Sequence, residues 1–176
     1  MIEQLLHEHD STADNIRNTL SALILRDKVT LAEIFYSAML EDAEASKLLS
    51  AKSVESHLKP GLCLWLRKLF CHDSRDELKA VLAMQRHVGE VHARADIPIK
   101  LVARGMRLLK REINSRLVNT ALAADEVVKA ILYTDRLMDI AFEEMSAAFV
   151  HSRDSGVKVD EGFRLFAAAQ NLSLER

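Results

Sequence analysis

Glycine and proline are scarce in this chain of 176 residues, with five and two copies, where average usage of about 7% and 5% would supply roughly twelve and nine. Strands and tight turns lean on both residues, so their scarcity points to helices joined by few breaks. Long apolar runs are also missing. No stretch approaches the ~18 residues of a membrane span, and Met1-Ile2-Glu3-Gln4 lacks the basic and apolar regions of a secretory signal. A soluble, cytoplasmic chain is the expectation. Charge of one sign is absent too: 24 basic and 26 acidic residues leave a net −2. With no basic run or basic stripe interleaved with aromatics, neither nucleic acid nor an anionic membrane surface is an expected partner. Cysteine is limited to Cys63 and Cys71, with no C-x-x-C pair for zinc or redox chemistry, and both read as structural or incidental thiols.

What is present suits one helical domain, long enough to bury roughly 70% of its unfolded surface. The first ten residues predict a short leading helix. Ser11 with Asp14 resembles a capping box before a long helical tract to about Glu41. The later part of that tract (Val29, Leu31, Ile34, Phe35, Tyr36, Met39, Leu40) is apolar on nearly every side, as in a helix buried between neighbours. After Ala43 to Ser50, apolar residues recur at Val54, Leu58, Leu62, Trp65 and Leu69, fitting the helical period. Pro60 and Gly61 interrupt this stripe, so the helix either kinks there or begins there with Pro60 in its first turn.

Ser74-Arg75-Asp76-Glu77 is a capping box opening a helix to about Ala95, and Pro98 suits the first turn of the next, through Leu117. A break near Asn119 to Asp125 precedes a last long helix through Phe149. Ser152 to Gly156 reads as a linker, and Glu161 to Arg176 as a helix cut off in mid-course. The expected organisation is a domain over residues 1–152 and, over 153–176, a linker and the start of a further helix.

On the Ser74 to Ala95 helix, Leu78, Val81, Leu82, Gln85, Val88, Val91 and His92 share one sector, with His92 near its middle. A histidine there either hydrogen-bonds within the core or coordinates something, since an unpaired buried imidazole costs about 1–3 kcal/mol. His87 lies about 140° away and reads as interfacial rather than as a second ligand. His7, His9, His57, His72 and His151 show no zinc-type spacing and read as surface residues. Tyr36 shares a sector with Val29, Ala32, Met39 and Leu40. Its buried hydroxyl needs a partner, either a backbone carbonyl or something outside the protein. No nucleophile with a base, phosphate loop or paired acidic motif occurs, so the segment reads as non-enzymatic.

The run Gln85 to Pro98 resembles the proximal region of globin-coupled sensors, of the form H-x-x-x-x-H-A-x-x-x-I-P, through His87, His92, Ala93, Ile97 and Pro98. Ile34-Phe35-Tyr36 resembles the family's F-Y pair, and His57-Leu58-Lys59 followed by Trp65 resembles its distal helix. Gly105 to Lys110 and Asp139 to Glu143 match later helices. The similarity covers about residues 12 to 165, with Pro60 as a departure in the distal helix.

The resemblance implies an all-α, globin-like fold with a C-terminal linker helix. It implies haem b, held without thioether bonds since C-x-x-C-H is absent, with His92 as proximal iron ligand. Tyr36 would hydrogen-bond to oxygen, Leu58 would shield the ligand, and Phe35, Trp65 and Val88 would line the cofactor. It also implies binding of O2, CO and NO, a homodimer through the last two globin helices, and a C-terminal output domain in cis. That domain would be a diguanylate cyclase making cyclic di-GMP, or alternatively the signalling module of an aerotaxis chemoreceptor. A non-haem stressosome-type sensor globin and a histidine phosphotransfer bundle are competing readings. The pairing of His92 with Tyr36 argues against the first, and the apolar sector around His92 against the second.

Overall fold

Capping at Ser74 takes the form its sequence suggests: Ser74 Oγ accepts from the Glu77 amide at 3.2 Å, and the Glu77 carboxylate accepts from the Asp73 amide at 2.9 Å. This reciprocal cap opens one of seven α-helices in the computed structural model, which describes residues 2–11 and 14–154. The helices are α1 (Ile2–Ser11), α2 (Asp14–Glu41), α3 (Ala51–Ser53), α4 (Lys59–Phe70), α5 (Arg75–Arg94), α6 (Ile99–Leu117) and α7 (Ala124–Asp154). A 3-10 turn, Ala45–Lys47, follows α2, and a π-helical turn, Val54–Leu58, joins α3 to α4. No strand occurs among the described residues. The fold is all-α, as expected.

Pro60 stands in the first turn of α4, as the second of the two sequence alternatives has it, but the helical path does not begin there. The chain runs helically from Ala51 to Phe70, and the turn before Pro60 widens so that the Lys59 amide bonds to the carbonyl of Val54, five residues back. Proline has no amide hydrogen and its ring presses on the carbonyl four residues earlier, here that of Ser56. A wider turn relieves that pressure without ending the helix.

Packing centres on α5 and α7, whose mutual contact is the most extensive between any two elements. Gly89 permits it: a Cβ built there would stand 2.0 Å from the Met145 carbonyl oxygen, so the two backbones touch. Ion pairs flank the contact, Arg86 with Glu144 at 3.5 Å and Arg153 with Asp96 at 2.7 Å. The α1 residues Leu5 and Leu6 are fully buried in the same core.

Several expectations are corrected. Ser11 is the last residue of α1, and the residues between it and Asp14 lie outside the described ones. Val29 is 56% exposed, so α2 is not apolar-packed all round at that level. His72, expected at the surface, is buried in the short connection between α4 and α5. Helix α7 continues through Asp154, so Ser152 to Asp154 are helical. The expected helix Glu161 to Arg176 lies outside the described residues.

Candidate functional site

His92 stands in the last turn of α5, and its Nδ1–H donates to the carbonyl of Val88 at 2.8 Å. This bond orients the ring and, with the proton on Nδ1, leaves the lone pair on Nε2, the arrangement of a metal-ligating imidazole. Burial lowers the pKa of His92 below its usual value, against the raising effect of the Val88 bond. The ring is therefore held neutral, the protonation state a metal requires. His87 is exposed and 3.8 Å from Glu90, away from this site.

The imidazole borders an apolar cleft with two lobes. Phe35, Tyr36, His92 and Val102 line both. The first lobe, about 700 Å³, adds Leu58 from the distal run, Leu49, and Leu101 of α6. The second, about 520 Å³, adds Leu62, Trp65, Val88, Met106 and Met145. All six residues expected at the site, His92, Tyr36, Leu58, Phe35, Trp65 and Val88, thus come together round one cleft.

Tyr36 is buried on α2 and meets Phe35 edge-on, with ring centroids 4.8 Å apart at 81°. Among the described residues its hydroxyl has no hydrogen-bond partner. The expected alternative of a backbone carbonyl partner is therefore not what the structure contains. Burial, and secondarily nearby Cys63, push the phenol's pKa well above its usual value, so the hydroxyl stays protonated and able to donate. Phe35 reaches its place because Gly105 on α6 lacks a side chain: a Cβ there would lie 2.6 Å from the ring.

Three contributors escaped the sequence reading. Gln85, fully buried, accepts from Trp65 Nε1–H at 2.8 Å and donates to the Val81 carbonyl at 2.8 Å, tying α4 to α5. A glutamine inside an apolar stripe, in a chain with one tryptophan, was the available signal. Val54 packs with Leu58 against Tyr36. Gly89 carries no signal short of the three-dimensional crossing.

One buried imidazole bordering an apolar cleft suits a large apolar cofactor better than a metal held by protein side chains alone. Among the described residues, no three His, Cys, Asp or Glu side chains come together in a metal-binding group. Beside the first lobe, Lys100 is paired with Glu44 at 2.8 Å, and Arg104 bonds to Asp42.

An all-helical domain wrapped round such a cleft, with an imidazole and a buried phenol on its walls, is a globin. More narrowly, the chain belongs to the protoglobin family, whose profile matches residues 4–155. It is 31% identical to the diguanylate cyclase DosC of Escherichia coli strain K12 over 142 residues, which make up 81% of this chain and 31% of that protein. It is 30% identical to DosC of Shigella flexneri over 161 residues, 92% of this chain and 42% of that protein. The chain thus spans less than half the length of these curated relatives. Among solved structures, the ferric globin domain of E. coli DosC superimposes with a TM-score of 0.77 at 25% identity, over 83% of this chain and 97% of that one. The globin domain of a Geobacter sulfurreducens globin-coupled sensor gives 0.66 at 22% identity over 83% and 96%, a likeness of fold.

Proposed function

We propose that this chain is the haem-binding, oxygen-sensing domain of a larger signalling protein, regulating a diguanylate cyclase placed C-terminal to it. The observation that carries this reading is the oriented, neutral imidazole of His92 on the wall of an apolar cleft that also holds a buried phenol with no hydrogen-bond partner among the described residues. The similarity to DosC supports the choice of output.

Haem, when bound, supplies an iron centre that takes a diatomic gas. His92 would hold it through Nε2, with Nδ1 anchored on Val88. Phe35, Trp65, Val88 and Met106 would grip the macrocycle by apolar contact, and neither cysteine lines either lobe, which suits non-covalent haem b. Tyr36 would donate its hydroxyl hydrogen to the gas. Oxygen draws electron density and accepts such a bond, whereas carbon monoxide stays nearly apolar. Nitric oxide is a further expected ligand. Leu58 would keep water out of the pocket.

Dimerisation through α6 and α7 belongs to the same proposal. Val118, Val128, Leu132 and Val150, at or beyond the ends of these helices and along α7, are each more than half exposed, leaving apolar surface for a symmetric partner. Ile140 of α7, by contrast, is 2% exposed within the single chain and belongs to the core. A test of the dimer therefore uses Leu132→Glu. Among the described residues no helix is long and apolar enough to cross a membrane.

Titration of haemin into the purified chain tests the central reading. A stoichiometric complex with a sharp Soret band is expected. Only weak, unsaturable absorbance would contradict it and favour a non-haem interaction module.

A further inference from the structure

The π-helical turn Val54–Leu58 ends on Leu58, which lines the cleft beside Tyr36. In an α-helix, residues four apart drift by about 40° round the axis. Val54 in an uninterrupted helix would therefore stand about 80° from Leu62, with Leu58 between them. A turn closed by a bond five residues back contains more than four residues, so a four-residue step falls short of a full revolution and the drift reverses. Val54, Leu58 and Leu62 are thereby kept on one side.

The packing bears this out: Val54 and Leu58 are buried with Tyr36 in one cluster, and Leu62 packs against it. Leu58 then lines the first lobe of the cleft and Leu62 the second. Pro60 itself is exposed and lines neither lobe. Its chemistry nevertheless accounts for the turn, because it withdraws the amide that an α-helix would offer to the Ser56 carbonyl and crowds that carbonyl with its ring.

We propose that Pro60 is a positioning residue for the gas site: by holding the preceding turn in π geometry it keeps Val54 and Leu58 packed on Tyr36, and so sets the stance of the Tyr36 hydroxyl and the exclusion of water around it. The proposal rests on the reading of the cleft as a haem and gas site. Pro60→Ala restores an amide that can bond to Ser56, which lets the run revert to an ordinary α-helix and rotates Val54 away from Tyr36.

The test compares the wild-type protein with Pro60→Ala, as purified, by two readouts. Methyl-to-ring nuclear Overhauser contacts from Val54 and Leu58 to Tyr36 should be present in the wild type and weakened or lost in the variant. In the haem-loaded protein, oxygen dissociation and oxidation in air should each speed up several-fold, and by less when Leu58→Ala is already present, since both changes act through the same side chain. Retained contacts with wild-type rates would overturn the proposal, as would the same increase with and without Leu58. Should Pro60→Ala fail to fold, Val54→Ala removes only the packing on Tyr36 and should also speed oxidation; a wild-type rate there overturns the proposal. Absence of a Soret band from every variant would defeat the haem reading, while the contacts to Tyr36 would still decide the role of Pro60.

Discussion

Helix α5 keeps one hydrogen-bond pattern from Arg75 to Arg94, whereas the run across the cleft passes from α to π and back between Ala51 and Phe70. The difference extends to their polar groups. On the α5 side His92 is bonded to Val88, Gln85 is bonded at both ends, and Gly89 sets the backbone against α7. On the other side the Tyr36 hydroxyl has no partner among the described residues, and the wall beside it is made of Phe35 and aliphatic side chains. A saturated, closely packed wall suits holding a cofactor in one place. A wall with one unspent donor suits telling one small ligand from another.

Breaking the α5 wall at its tether should have the largest effect. On the proposed reading, His92→Ala is expected to lose haem on purification or hold it weakly, because the imidazole would be the one directional bond to a cofactor otherwise held by apolar contacts. His87→Ala should leave the Soret spectrum nearly intact. The reverse pattern would move the tether to His87 and undo the assignment of the two walls.

Next comes the backbone contact behind the tether. In Gly89→Ala the new methyl collides with the Met145 carbonyl, which cannot rotate aside as a side chain would. Chemical denaturation should show a loss of about 3 kcal/mol. An unchanged midpoint would mean that α5 and α7 separate freely, and the wall would not be rigid. Smaller again is Gln85→Leu, which strands the Trp65 indole N–H in the core and should cost about 2 kcal/mol. Trp65 fluorescence reports whether the indole stays buried.

The smallest effect is one of pH. Burial lowers the folded-state pKa of His92, so on acidification the unfolded chain takes up the proton first. The stabilising contribution is complete above the ordinary value of 6.5 and is lost as pH falls from there through the folded value. The slope is at most about 1.4 kcal/mol per pH unit. Urea unfolding of the haem-free chain should show this slope, and His92→Gln should remove it.

The two walls also differed in how far the sequence revealed them. On α5 the Ser74 cap, the apolar stripe and the central position of His92 are all local, periodic signals, and each is found where periodicity predicts. Tyr36, Leu58 and Trp65 were legible through resemblance, since a buried tyrosine or leucine has no local pattern that separates a pocket from a core. The π turn was not legible: Pro60 alone allows a kink, a start or a widened turn, and packing against Tyr36 selects among them. Gly89 and Gln85 depend on partners 56 and 20 positions away, Met145 and Trp65, so only the folded chain reveals what they do.

The division between a holding wall and a discriminating wall is tested most directly by stopped-flow dissociation of oxygen and of carbon monoxide from Tyr36→Phe. If the hydroxyl donates to the gas, its removal deletes a bond worth about 1–3 kcal/mol, so oxygen should leave about five- to a hundredfold faster while the Soret band persists and carbon monoxide release changes much less. Oxygen leaving at the wild-type rate, or both gases accelerating alike, would contradict the account and return Tyr36 to the role of a core tyrosine.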